Sequence, residues 1–395
     1  MRVLLVHNFY QQPGGEDEVF RAERGLLRAH GHEVHEFILH NDAVPTYGKL
    51  ALASATLWNR EAHRAVGRLA RLKRAEVVHF HNTFPLVSPA AYYAARDAGA
   101  AVVQTLHNFR LLCPGATLFR EGRPCEDCLG SAVPWRGALH GCYRDSRAQT
   151  GILAAMLAAH RAARTWQRAV DRYIALTEFA RGKFVAGGLP TERVVVKPNF
   201  MPDPGVGRGA GGYGVFVGRL SPEKGVRTLL DAWPRAAQVV PLKIVGDGPL
   251  AAEVQRLAAT TPGVEWLGRQ PHARVLELIG DATFLLLPSG CYEGFPRTIV
   301  EAFAKGTPVL ASDLGAMKEL VSHGRTGRHF NVSNPEDLAA QVKALTPDSG
   351  DGRALRANAR AEYEHLYTPA RNHDMLLRVY ADAIDTTRRR PRRAA

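Results

Sequence analysis

No stretch of this 395-residue chain approaches the roughly 20 consecutive apolar residues that a membrane-spanning helix needs. Its start, MRVLLVHNFYQQPGG, returns to polar side chains right after V-L-L-V, short of the roughly 7–15 apolar residues of a secretory signal. The expectation is a cytoplasmic protein. Cysteine is scarce, five in all, and an intracellular setting argues against stable disulfides. Acid is also in deficit: 51 Lys and Arg stand against 38 Asp and Glu, a formal +13. Residues 1–200 carry +9 of that excess, and the five arginines Arg388, Arg389, Arg390, Arg392 and Arg393 more than account for the remaining +4. A basic first half suits nucleic acid, an anionic membrane or a phosphorylated substrate. Against nucleic acid, the basic residues are not interleaved with aromatics on a known module.

What the chain does have is alternation. Short β-branched runs at 3–6, 34–39, 77–80, 102–106, 173–176 and 194–196 are separated by helical patterns, the longest at 151–172. Prolines and glycines crowd 197–214, and the alternation then restarts. Strands are expected at 215–217, 242–245, 264–267, 283–287 and 309–311, with helices near 225–237, 250–260, 272–280, 297–305 and 315–321. This pattern predicts an α/β chain with two doubly wound Rossmann-like domains, whose ligands bind at the carboxyl ends of strands. Gly209, Gly211 and Gly214 fit G-x-G-x-x-G, but they precede a strand instead of following one, so no dinucleotide role is assigned.

Three features of the second half carry chemistry. Residues 218–225, GRLSPEKG, put Arg219 and Lys224 at a strand end beside a helix start, a setting for a diphosphate. Residues 288–296, PSGCYEGFP, follow the most apolar strand and bring Glu293, Gly294, Phe295 and Pro296 to its end. Glu301 follows eight residues later inside the apolar run I-V-E-A-F, where an acid is costly unless partnered.

Together with AFAKGTPV (302–309), SDLG (312–315) and GRTG (324–327), these segments resemble the retaining glycosyltransferases of family four. The resemblance implies a GT-B fold: two Rossmann-like domains facing across a cleft, with a C-terminal helix crossing back to the first. On that reading residues 1–198 bind the acceptor and include a Cys-rich insertion at 110–145. A linker (199–213), a nucleotide-sugar donor domain (214–368), the crossover helix (369–387) and a basic tail (388–395) follow. The implied activity is transfer of a sugar from a nucleotide-diphosphate sugar to an acceptor hydroxyl, in glycan, polysaccharide or glycolipid synthesis. Arg219 and Lys224 would hold the diphosphate, Glu293 the sugar hydroxyls and Glu301 the ribose, with Gly294, Phe295 and Pro296 beside them. In the first domain Gly14 and Gly15 look like the family's glycine-rich loop, and His107 in TLHN (105–108) would stabilise the transferred sugar. Glu16, His81 and Asn108 are the acceptor-side candidates. The chain has no Asp-x-Asp, so Arg219 and Lys224 replace a metal's charge, and no catalytic metal is expected.

Four cysteines, Cys113, Cys125, Cys128 and Cys142, are spaced C-x11-C-x2-C-x13-C. A structural zinc site, disulfide or redox pairs, and free thiols all stay open. Residues 50–74 read as one basic helix that suits either an anionic membrane on the cytoplasmic side or a sheet-packed helix with a solvated face. The expected partners are a nucleotide sugar and a carbohydrate or lipid-linked acceptor, with no nucleic acid. Two alternatives stand beside the transferase: a nucleotide-sugar epimerase or phosphorylase of the same fold, and a basic nucleic-acid-binding protein with a Cys cluster.

Overall fold

The computed structural model describes residues 1–12, 14–345 and 352–390, so Arg392 and Arg393 of the basic tail lie outside the described residues. The first sheet contains β1 (Arg2–Phe9), β2 (Glu33–His40), β3 (Val77–Phe80) and β4 (Ala101–Leu106). A two-stranded hairpin of β5 (Phe119–Arg120) and β6 (Arg123–Pro124) precedes its last members, β7 (Arg172–Ala175) and β8 (Val194–Val196). The strands are parallel, in the order β2-β1-β3-β4-β7-β8. The second sheet contains β9 (Gly214–Val217), β10 (Leu242–Val245), β11 (Val264–Gly268), β12 (Phe284–Leu287), β13 (Val309–Ser312) and β14 (Gly327–Phe330). It too is parallel, in the order β11-β10-β9-β12-β13-β14. Central strands such as β3, β4 and β12 are buried along their whole length, as a sheet covered on both faces requires, while the edge strand β2 stays half-buried and carries Glu33, His35 and Glu36.

Each order reverses direction once, between β1 and β3 in the first sheet and between β9 and β12 in the second. Ligand crevices in such sheets open at the carboxyl ends of the strands on either side of that reversal. The residues after β1, β3 and β4, and after β9 and β12, are therefore where each unit's chemistry is placed.

The chain divides into two units: Met1–Thr117, Glu126–Asn199 and Asn372–Ala395 form one, and Leu118–Cys125 with Phe200–Arg371 form the other. The last helix, Pro369–Arg388, gives Leu376, Val379, Tyr380 and Ala383 to the core of the first unit, against Val3, Phe20, Leu27, Val77 and Ile174. In the second unit Trp233, Leu229, Phe216, Leu242, Phe284 and Leu310 form the core. The glycines of the rejected dinucleotide pattern have a packing role, because a Cβ at Gly209 would lie 2.4 Å from the Arg356 guanidinium, and Gly209 donates to Gly280 O at 2.9 Å.

Several expectations change. The single helix at 50–74 is two, Lys49–Trp58 and Arg60–Leu72, because Asn59 turns the chain and caps the second helix through Glu61 N and Ala62 N at 2.9 and 3.0 Å. The buried face of the second is Ala62, Val66, Gly67 and Ala70, with Gly67 against Ala94 of helix Ala90–Asp97, whereas Trp58 and Leu72 are exposed. The pattern at 151–172 is helix Arg147–Ala162 followed by a short turn Thr165–Arg168, broken at Arg164 with φ 54°. Strand β14 escapes sequence reading because GRHF carries the polar residues of a sheet edge. In the tail, Arg388 closes the last helix and Arg390 pairs with the buried Asp171. Among the described residues no helix is long and apolar enough to cross a membrane.

Candidate functional site

In the second unit the two motif loops meet through backbone contacts that leave no room for side chains. Gly225 ends the 218–225 turn at φ 68°, and a Cβ there would lie 1.7 Å from Pro288 O, the first residue after β12. Gly290 N donates to Glu223 O at 3.0 Å, tying the 288–296 loop to the same turn. A third loop joins them: Gly246 approaches Gly218 so closely that a Cβ would fall 1.9 Å from its carbonyl oxygen.

This packing brings Lys224 and Glu293 together, with Nζ 2.7 Å from Oε1, and Ser289 Oγ donates to the same oxygen at 2.7 Å. Burial pushes the Lys224 ammonium down, but the Glu293 carboxylate and the Cys291 thiol outweigh it, so its pKa is raised and the charge persists. The Lys224 side chain keeps 31% of its surface and Glu293 12%, so the pair lies at a rim and not in the core. Cys291 beside them is buried, and that burial with the Glu293 charge lifts its thiol to about 12, too high for a nucleophile at neutral pH. Arg219 is exposed at the same turn. Glu301 is 6% exposed in helix Arg297–Ala304 and is partnered, with Oε1 3.1 Å from His272 Nε2 and 3.8 Å from an Arg297 guanidinium nitrogen. Gly294 and the N-cap Pro296 lead into that helix, and Phe295 is buried edge-on to Tyr367. The first amides of the helix point out at its N-terminus, where a phosphate is favoured.

In the first unit, Gly14 caps helix Gly15–Ala29 and donates to Asp17 Oδ2 at 2.9 Å. Its φ of −118° suits any residue, and a Cβ there would lie 3.8 Å from the nearest atom, on the Tyr10 ring, so nothing in the fold itself demands glycine at 14. Glu16 follows with a pKa lifted to about 7: burial drives it up with Asp17, against the Tyr10 hydroxyl, Arg110 and Asn108. Asn108 Nδ2 donates to Glu16 Oε2 at 3.2 Å, while buried Glu16 Oε1 has no hydrogen-bond partner among the described residues. His107, after β4, sits 3.1 Å from His81, after β3 (Nε2 to Nδ1), and burial and the neighbouring His81 hold His107 well below the ordinary histidine range. His79 turns inward, with Nδ1 bonded to Tyr380 and Nε2 to Thr105, both at 2.8 Å.

His81, Phe84, His107, Asn108 and Arg110 line a small cavity. Phe84 also borders a second cavity of about 420 Å³, walled by Val44, Leu52, Ala53, Ile152 and Leu153, with Lys49 and Arg144 among its lining residues. Sequence reading missed this second cavity because its lining comes from four separate segments of the chain.

Among the described residues no disulfide joins any of the five cysteines. Cys113, Cys128 and Cys142 gather around two glycines: a Cβ at Gly115 would lie 3.6 Å from Cys113 Sγ and 3.0 Å from Cys142 O, and one at Gly137 would lie 3.5 Å from Cys128 Sγ. Among the described residues, the group of three or more His, Cys, Asp or Glu side chains whose ligand atoms all lie within 4.8 Å of one another is Glu23, His79 and His81, a set the sequence reading did not collect and one that includes none of the cysteines.

With this geometry in hand, comparison with known proteins is informative. Residues 212–348 match the family described as glycosyl transferases group 1. An uncharacterised glycosyltransferase of Methanocaldococcus jannaschii is 31% identical over 150 residues, 38% of this chain and 42% of that protein. Alpha-maltose-1-phosphate synthase of Mycolicibacterium smegmatis is 31% identical over 180 residues, 42% of this chain and 46% of that protein. The chain thus spans less than half the length of these curated relatives. Over nearly its full length it superposes on Anabaena HepE in complex with UDP, with a TM-score of 0.69, 20% identity, and coverage of 96% of this chain and 100% of that one. That likeness gives the fold, GT-B. Within that fold, residues 212–348 carry the likeness to the group 1 glycosyl transferases.

Proposed function

We propose that this protein is a retaining, metal-independent glycosyltransferase that moves a sugar from a nucleoside-diphosphate sugar to a carbohydrate or lipid-linked hydroxyl. The observation that carries this reading is the Lys224–Glu293 pair, 2.7 Å apart at the junction of the loops that follow β9 and β12. Lys224 and Arg219 neutralise the diphosphate, and the amides opening helix Arg297–Ala304 add the pull of its N-terminus. Glu293 binds hydroxyls of the sugar, and Glu301 the ribose diol. The bond from the anomeric carbon to the diphosphate oxygen breaks as the acceptor oxygen bonds on the same face. The acceptor's proton passes to the departing phosphate oxygen, so no side-chain nucleophile is required. His107 supplies a hydrogen bond to the transferred sugar. Glu16 and Asn108 bind the acceptor hydroxyls, Gly14 and Gly15 give a phosphate close approach, and the cavity of about 420 Å³ takes the acceptor's apolar portion. Cys113, Cys125, Cys128 and Cys142 would be the ligands of a structural zinc, which a four-thiolate set suits, once their thiols converge.

The test is a screen of UDP-, GDP- and ADP-sugars for hydrolysis, with thermal shift by the matching diphosphate. One nucleotide is expected to stabilise the protein by about 2.7 kcal/mol at a hundredfold excess over its Kd. No stabilisation and no hydrolysis with any of them rejects the reading.

The Glu16 carboxyl, at about 7, adds a pH signature. As a hydrogen-bond acceptor for the sugar acceptor's hydroxyl it works when ionised, so kcat/KM for the acceptor rises with pH through about 7. In Glu16→Gln that limb disappears, which a pH profile from 5.5 to 8.5 records. An unchanged limb in the variant removes Glu16 from the acceptor site.

A further inference from the structure

We infer that Glu23 is a positioning residue for His107, fixing through His81 which nitrogen of His107 carries the proton. The inference rests on the proposed role of His107 as a ligand to the sugar. Glu23 lies on the apolar stripe of helix Gly15–Ala29, with Val19, Phe20, Leu26 and Leu27, and is fully buried. Its Oε1 accepts from Lys197 Nζ at 2.6 Å, and Lys197 also donates to Asn372 Oδ1 at 3.1 Å. Burial drives the Glu23 carboxyl up, but the Lys197 ammonium and the imidazoles of His81 and His79 outweigh it and hold it ionised, well below the usual range.

The other oxygen, Oε2, lies 3.4 Å from His81 Nε2 and 3.7 Å from His79 Nδ1, and among the described residues neither Oε2 nor His81 Nε2 has a hydrogen-bond partner elsewhere. A ring lone pair aimed at an ionised carboxylate is repelled, whereas an N–H is attracted, so Nε2 of His81 carries the proton. In the neutral ring Nδ1 then holds a lone pair, and it faces His107 Nε2 at 3.1 Å. His107 must donate from Nε2, which leaves its Nδ1 as an acceptor for a sugar hydroxyl. His79 cannot substitute, since both its nitrogens are bonded to Tyr380 and Thr105. His7, the remaining nearby imidazole, is paired with Asp17 at 2.7 Å. The Glu23, His79 and His81 set does not call for a metal, because the Lys197 ammonium already supplies the positive charge.

The experiment uses full-length protein labelled with ¹⁵N-histidine, with His81→Ala and His107→Ala for assignment. Wild type is expected to show Nε2-protonated rings at both positions at pH 7.5. Glu23→Gln alone strands a buried ammonium, so Glu23→Gln/Lys197→Met is made as well. In whichever variant folds, the His107 proton is expected to redistribute between nitrogens. The turnover number should fall about 10- to 100-fold while donor KM stays within about threefold. A wild-type His107 protonated on Nδ1, or an unchanged ring pattern in the folded double variant, overturns the inference. If wild type turns over no nucleotide sugar, the transferase reading falls, and the ring protons still decide whether Glu23 sets them.

Discussion

Lys224→Ala is expected to lower turnover by about 10²- to 10³-fold, the usual cost of deleting one preorganised charge opposite a developing phosphate. The fold should survive, because Lys224 lies at a rim and its removal leaves Glu293 bonded to Ser289. Glu293→Gln should cost a similar factor, since it strips Lys224 of the carboxylate that holds its ammonium in place. The two side chains act as one unit, so the double variant should be little worse than either single. Steady-state kinetics with calorimetric titration of the nucleoside diphosphate separates the effects: Lys224→Ala weakens nucleotide binding most, and Glu293→Gln, which keeps the ammonium but loosens its placement, weakens it less. Either variant retaining turnover within about threefold of wild type removes that residue from the site.

The second large effect is in the backbone. Gly225→Ala should destabilise the second unit by at least about 3 kcal/mol and abolish nucleotide binding. Two costs add: a left-handed residue that now has a side chain, and a Cβ 1.7 Å from Pro288 O. Relief requires the 288–296 loop to withdraw, and Glu293 goes with it. Gly14→Ala is the matched control, expected to change stability by less than about 1 kcal/mol because its φ is −118° and its nearest neighbour lies 3.8 Å off. Chemical denaturation of both variants measures the contrast, and equal losses would show that the loop junction is not what Gly225 serves.

The contrast between these glycines shows what sequence reading reached. Buried parallel strands announced themselves because they are covered on both faces, leaving runs such as V-V-H-F and F-L-L-L with little solvated alternation. The donor-side loops were legible because each is one continuous segment after a strand. Edge strand β14 was not, since its GRHF is as polar as a loop. Asn59 was overlooked as a helix start because the apolar period runs on across it. Glu23 left a signal that went unused: at 19, 20, 23, 26 and 27 it is the one acid on an apolar stripe. Its partner Lys197 lies 174 residues away, and no periodicity reports such a pairing. The stacking of His30 on His373, with ring centroids 3.8 Å apart, is another contact that spans most of the chain and that no periodicity reports.

The placement of Leu376, Val379 and Tyr380 in the first unit's core has a consequence for biosynthesis. A ribosome that has finished β8 has made a sheet whose closing helix does not yet exist. At about 5–20 residues per second, the 172 residues between Asn199 and Asn372 take about 9–34 s to emerge. During that interval the second unit can complete itself, while the earlier-made half keeps an apolar face waiting for its lid, a window in which a chaperone is best placed to act.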